Sequence, residues 1–292
     1  NSPAYSIVGG PADGPQRELD YPDDKSPNGQ ATYTYKGTGG VPIGSYFNRF
    51  MFALKYQEPN MVLSDLVNPD SRIMEIRDPR DRVEKVAPWL TTDGDPYPIV
   101  VDGRVLWMVD GYTTTDSYPN STPTSLSDAT TDTLTQLSNN GANQVSQDVN
   151  YIRNSVKATI DAYDGTVHLY VFDDTDPLIQ GYRSIFPGLL QPASEMPADL
   201  RRHTRAPEFL FRIQAEMYRV YHMRNPESFY NRADSWDLAT FTNNQSMDPA
   251  AVVPTYLIAT LPGESTPEFL LTIPFTPRNK QNLIGLMAAR CD

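Results

Sequence analysis

The sequence predicts an α+β fold: a largely antiparallel sheet built from hairpins, with helices packed on it and long irregular loops between them. Three observations point there. Strand-like runs come in pairs joined by tight turns: Ile99–Val101 with Val105–Val109 around Asp102-Gly103, and Thr255–Leu261 with Glu268–Phe275 around Pro262-Gly263-Glu264. Helical periodicity is confined to separate blocks, such as Pro207–Met223. The strand–helix–strand rhythm of a doubly wound parallel sheet is missing.

Taken in order, residues 1–40 are rich in Gly, Pro and Asp and read as an irregular arm with one short strand at Ala31–Lys36. Pro42 is expected at the first position of a helix, which carries Tyr46, Phe47, Phe50 and Leu54 at helical spacing and ends at Pro59. Shorter helices follow at Met61–Val67 and Pro79–Ala87, the second capped by Asp78. Asp102-Gly103 is a two-residue hairpin signal, because a type I′ turn needs φ > 0 at both positions. The Ser, Thr, Asn, Asp and Gln tract at 113–148 has no period and reads as a polar loop or insertion. Val149, Ile152, Val156, Ile160 and Tyr163 then predict a helix, broken at Asp164-Gly165.

Thr166–Phe172 reads as a strand, and Asp176 caps a helix at Pro177–Phe186. Helices at Pro197–His203 and Pro207–Met223 come next. The latter has Leu210, Ile213, Met217 and Val220 as its apolar stripe, with Glu208–Arg212 and Arg212–Glu216 as surface pairs. After the second hairpin, Asn279 is expected to cap a last helix carrying Leu283, Ile284 and Met287. There is no internal repeat, and residues 1–292 read as a single domain.

The bulk numbers narrow the functional classes. The 292 residues are 39% hydrophobic and 21% charged, as in a folded chain. A net charge of −12 makes nucleic acid a poor partner for the average surface. Cys291 is the one cysteine, which excludes an internal disulfide and a cysteine metal site. No apolar run approaches the ~20 residues that span a bilayer. The first residues have neither the basic n-region nor the apolar core of a signal peptide, and no initiator Met precedes them. The chain therefore reads as a piece of something longer.

Candidate chemistry sits at few places. Asp110 and Asp116 could form a strand-end carboxylate pair for acid–base work; the competing reading is a strand terminator followed by an Asx-type turn. Lys36, Gly37, Gly39, Gly40, Gly44 and Ser45 belong to a glycine-rich stretch before a helix, where backbone N–H groups can cradle an anion. Its glycine spacing matches a P-loop, but the required Lys is absent; the competing reading is a tight helix entry. Asp93-Gly94-Asp95 and Asp173-Asp174-Thr175-Asp176 fail the EF-hand pattern and serve as turns and caps. His168, His203 and His222 are too scattered for a zinc site, and no nucleophile elbow is present. No metal and no cofactor are expected. Arg201 to Arg224 form a basic stretch in an acidic chain, readable as a solvated helix face or a surface for acidic partners.

Several long segments carry a resemblance. "YKGTGGVPIGSYFNRFMFAL", "RDPRDRVEKVAPWLTTDGDPYPIVVDGR", "WMVDGYTTTDSYP", "NYIRNSVKATIDAYDGTVHLYVFDDTDPLIQGYRSIFPGL" and "PGESTPEFLLTIPFTPRNKQNLIGLMAAR" resemble the soluble part of uncharacterised protein family 0182. The match runs from about Tyr5 to the C-terminus, except for the polar tract at 120–147. The resemblance implies a bacterial multi-pass membrane protein, with this chain as its large extracytoplasmic domain at the cell membrane. The implied partner is the protein's own N-terminal transmembrane region, absent from this chain; a further C-terminal piece is implied too. The family has no established reaction, so no catalytic residue carries over. The first functional reading is a non-enzymatic extracytoplasmic domain that binds a partner, an envelope component or an anionic ligand, or supports assembly or transport. The alternative is a cell-envelope hydrolase or transferase using carboxylates such as Asp110 and Asp116. A deep pocket holding two carboxylates ~5–10 Å apart would favour the enzyme.

Overall fold

The computed structural model describes residues 4–10, 18–27, 29–126, 148–242 and 249–291. Within the first forty residues the chain is less irregular than expected. It forms β1 (Tyr5–Val8), β2 (Glu18–Pro22) and β3 (Gln30–Tyr33), the last in place of the strand expected at Ala31–Lys36. Next come β4 (Val41–Pro42), α1 (Tyr46–Tyr56), α2 (Asn60–Leu63) and β5 (Arg72–Glu75). β5 lies between β1 and β4 in an antiparallel sheet. Pro42 thus belongs to a strand, not to the helix. α1 begins after Ser45, whose hydroxyl accepts the Asn48 amide at 3.2 Å, as an N-cap does. Ile43, Ala53, Met61, Val67 and Ile73 form the core beneath α1 and α2.

The largest sheet follows. After α3 (Pro79–Val86), capped by Asp78, come β6 (Thr91–Thr92), β7 (Tyr97–Val101) and β8 (Arg104–Thr115). β7 and β8 form the expected hairpin, with Val101 opposite Arg104 and positive φ at Asp102 and Gly103. β8 runs through Thr115, so the first residues of the polar tract are strand. β9 (Thr124–Ser125) and β10 (Asp148–Val149) pair with each other. Residues 127–147 of the tract lie outside the described residues.

Tyr151–Asp161 is a strand, β11, where a helix was expected. Its residues from Ser155 to Ile160 are all buried, because β8 and β12 (Val167–Val171) flank it and both faces are covered. Apolar residues then fall where the two faces need them, and helical spacing arises without a helix. The informative pattern is the alternation: Val156, Ala158 and Ile160 enter one core, while Lys157 and Thr159 point to the other face. That core includes Val83 of α3 and Ile179 of α4 (Pro177–Ile185). β13 (Leu190–Pro192) adds the sheet's one parallel pairing, to β12. On the opposite face Ile99, Met108 and Tyr170 pack with Leu200 of α5 (Ala198–Arg201).

α6 (Glu208–Tyr221) joins this sheet to the C-terminal one. Phe209 and Ile213 pack on Tyr112 and Val149, whereas Phe211 and Ala215 pack on Leu271, Ile273 and Phe275. Beyond it lie α7 (Pro226–Asn231), β14 (Trp236–Leu238), the paired β15 (Thr240–Thr242) and β16 (Pro249–Ala251), then β17 (Thr255–Ala259), β18 (Glu268–Pro277) and β19 (Gly285–Arg290). β19 replaces the last expected helix. Asn279 sits at φ 61° in a turn, and β18 offers an open edge that β19 fills, with Met287 and Ala289 facing the core. Among the described residues every strand pairing except β12–β13 is antiparallel, which makes the fold α+β.

Candidate functional site

β8 carries two of the sequence candidates and separates them. Asp110 lies between Met108 and Tyr112 on the face toward α5 and α6, and is 4% exposed. Asp116 lies just past the strand end, exposed, and accepts the neighbouring Ser117 hydroxyl at 2.8 Å. The pair that forms instead is Asp110 with Lys157, directly opposite on β11. Asn154 adds a side-chain donor to Asp110 at 2.9 Å, and Lys157 also donates to the Arg205 carbonyl at 2.9 Å.

More polar groups converge on this centre. Asp93, 5% exposed, accepts the Tyr112 hydroxyl, and its amide donates to the Asp110 carbonyl at 2.8 Å. Burial pushes the Asp93 carboxyl up to about 6, with the nearby Asp110 charge adding to the rise and the Tyr112 hydrogen bond opposing it. Arg205 pairs with Asp95 at 2.6 Å and lies between the rings of Tyr97 and Tyr256, 3.8 and 4.9 Å from their centroids. Tyr256 of β17 donates to the Ala206 carbonyl at 2.7 Å. Glu208 is raised by burial and by the charges of Asp95 and Asp93. The centre thus ties β6, β8, β11, the segment before α6 and β17 together. It can hold fixed charges, and one carboxyl can take up a proton near neutrality. Lys157 escaped the sequence reading because it sits in a stretch with helical spacing; its place between Val156 and Ala158 was the signal.

The glycine-rich stretch is engaged from within the chain. The Thr38 amide donates to Asp164 Oδ1 at 2.9 Å, the Gly39 amide to the Tyr35 hydroxyl at 2.9 Å, and the Lys36 amide to the Tyr163 hydroxyl at 3.2 Å. Burial would raise the Asp164 carboxyl, but the Thr38 amide and the Arg104 guanidinium outweigh it and hold it below the usual range. On the other side Arg72 donates to the carbonyls of Thr38, Gly39 and Gly40 at 2.6–3.0 Å. A Cβ on Gly39 would meet the Asp164 carbonyl at 2.4 Å, and one on Gly44 the Pro69 carbonyl at 2.1 Å. Gly37, Gly39 and Gly40 therefore gather around Tyr35, Asp164 and Arg72, while Gly44 and Ser45 belong to the α1 entry.

Asp176 is a cap with a second duty. It takes the Leu178 amide at 3.0 Å and three hydroxyls, from Thr113, Ser155 and Tyr151 at 2.5–2.7 Å.

A different kind of surface lies on α1. Its inner face buries Arg49 and Ala53; its outer face presents Tyr46 and Phe47, 75% and 71% exposed, together with Phe50, Met51 and Leu54. Leu63 and Leu66, beside α2, are exposed too. A helix apolar on both sides is ordinarily covered on both sides. Among the described residues, no helix is long and apolar enough to cross a membrane.

These features define the class: a β-rich α+β domain with its central carboxylates turned inward and an aromatic helical face turned outward. The chain belongs to UPF0182, an uncharacterised protein family whose model matches residues 1–292. It is 50% identical to the UPF0182 protein of Solibacter usitatus over 95% of its own length. It is 46% identical to UPF0182 protein Francci3_3781 of Frankia casuarinae and 45% identical to the UPF0182 protein of Paenarthrobacter aurescens, over its full length in both cases. It covers 28%, 28% and 30% of these relatives. No solved structure matches it.

Proposed function

We propose that this chain is a non-enzymatic docking domain of a longer bacterial membrane protein, and that it works from outside the membrane. One observation carries the reading: the outer face of α1, where five large apolar side chains from Tyr46 to Leu54 meet solvent on a helix already packed on its inner side. Leaving that much contiguous apolar surface open is unfavourable, and such patches mark interaction sites. Relatives more than three times as long supply the partner in this reading: the remainder of the same polypeptide. The inward pairing of Asp110 with Lys157 supports the non-enzymatic half, since it commits the carboxylate to holding strands together.

The test uses cysteine accessibility. Cys291 is buried, so a new surface thiol dominates labelling by a membrane-impermeant maleimide. Phe50→Cys should label readily in the isolated domain and be protected in cells making the full-length protein. Tyr230→Cys, at a site 87% exposed, should label in both. Equal labelling of Phe50→Cys in both settings would remove the docking face. Tyr230→Cys that labels only after cell lysis would remove the location outside the membrane.

A further inference from the structure

A cavity of about 280 Å³ opens between α6, the end of α7, β14 and the turn after β18. Three arginines line it: Arg219 from α6, Arg232 from the C-cap of α7 and Arg278 from the turn. Two carboxylates, Glu216 and Asp237, line it as well, and both are engaged by Arg219, each at 2.6 Å. Arg219 also donates to the Trp236 carbonyl at 3.0 Å, which fixes its guanidinium in place. The lining therefore carries three guanidinium charges against two carboxylates, both of the latter held by one arginine.

Arg232 and Arg278 are left over. Both side chains are exposed, and among the described residues neither makes an ion pair or a side-chain hydrogen bond. Two cations facing one cavity repel each other unless an anion sits between them. Their presence is the more notable in a chain of net charge −12. Trp236 supplies a wall, and its indole N–H is buried without an acceptor.

We propose that this cavity binds an oxyanion, a carboxylate or a phosphate, gripped by the guanidinium forks of Arg232 and Arg278 beside the Trp236 ring. Guanidinium presents paired N–H donors that match two oxygens of either group, which an ammonium does not. The volume lies just under the usual range for ligand pockets, so it admits a small solute or one charged group of a larger one. The site is separate from both the Asp110–Lys157 centre and the α1 face.

The experiment follows the indole resonances of the purified domain by NMR. There are three tryptophans, Trp89, Trp107 and Trp236, and Trp236→Phe assigns the relevant peak. Orthophosphate and succinate are titrated separately, with sodium chloride holding ionic strength constant. The proposal expects a saturable shift of the Trp236 peak with at least one of them. The double variant Arg232→Ala/Arg278→Ala should weaken it at least tenfold, with the other two indole peaks unmoved. Phosphate alone giving the shift would identify a phosphate site, and succinate alone a carboxylate site. No saturable shift with either, or a shift indifferent to the double variant, would overturn the proposal.

Discussion

Lys157 and Asp110 stand directly opposite each other on β11 and β8 and form an ion pair whose side chains are 7% and 5% exposed. Each charge is tolerable in the interior because the other is there. Lys157→Met strands the Asp110 carboxylate and should cost about 3–5 kcal/mol in urea unfolding. Asp110→Leu/Lys157→Met should recover most of that loss, since a buried pair adds little over an apolar one. A single variant costing under about 1 kcal/mol would show that the pair is not buried as described.

Asp93 sets a pH dependence. Its folded carboxyl is raised to about 6, above the ordinary 3.8. A raised carboxyl contributes stability that is full below the ordinary value and is lost as pH rises through about 6. Two units correspond to roughly 3 kcal/mol. The stability difference between wild type and Asp93→Asn should therefore drift in favour of the variant between pH 4 and pH 7 and level off above. A difference flat across that window refutes the assignment.

The β7–β8 hairpin turns on Asp102 and Gly103, at φ 51° and 75°. A Cβ on Gly103 meets nothing within 4 Å, so substitution there costs conformation alone. Gly103→Val should destabilise by about 1–2 kcal/mol, and Asp102→Gly should be close to neutral. An unchanged melting temperature for Gly103→Val would contradict the turn.

Asp176→Ala removes a helix cap and leaves the hydroxyls of Thr113 and Ser155 without their acceptor. A loss of about 2–4 kcal/mol is expected. The sign with pH opposes that of Asp93. Burial would raise the Asp176 carboxyl, but the hydroxyls of Ser155, Thr113 and Tyr151 hold it below the usual range. Its contribution is thus present above the ordinary carboxylate pKa and is lost as pH falls, so the Asp176→Ala penalty should shrink in acid. A penalty unchanged by acid, measured by urea unfolding, would mean these bonds do not favour the ionised form.

By itself the sequence determined what depends on neighbours along the chain. The Asp102-Gly103 turn, the Asp78 and Asp176 caps and the β17–β18 pairing all rest on signals within a few residues, because turn and cap chemistry is local. The expected α6 stripe does not hold: α6 is wedged between two sheets, so Phe209, Phe211, Ile213 and Ala215 are buried, Met217 is exposed, and Arg212, expected on the surface, is buried. The tertiary structure decided what depends on residues far away. β11 reads with helical spacing and is a strand because β8 and β12 pair with its two edges, while helices packed on both faces of the sheet bury it on either side so that neither polarity pattern dominates. β19 is a strand because β18 offers an open edge. Lys157 meets Asp110 across 47 positions of sequence, and Asp164 reaches the Thr38 amide across 126. No local pattern records such meetings, since an ion pair or an amide contact needs only that folding brings the two groups within about 3 Å.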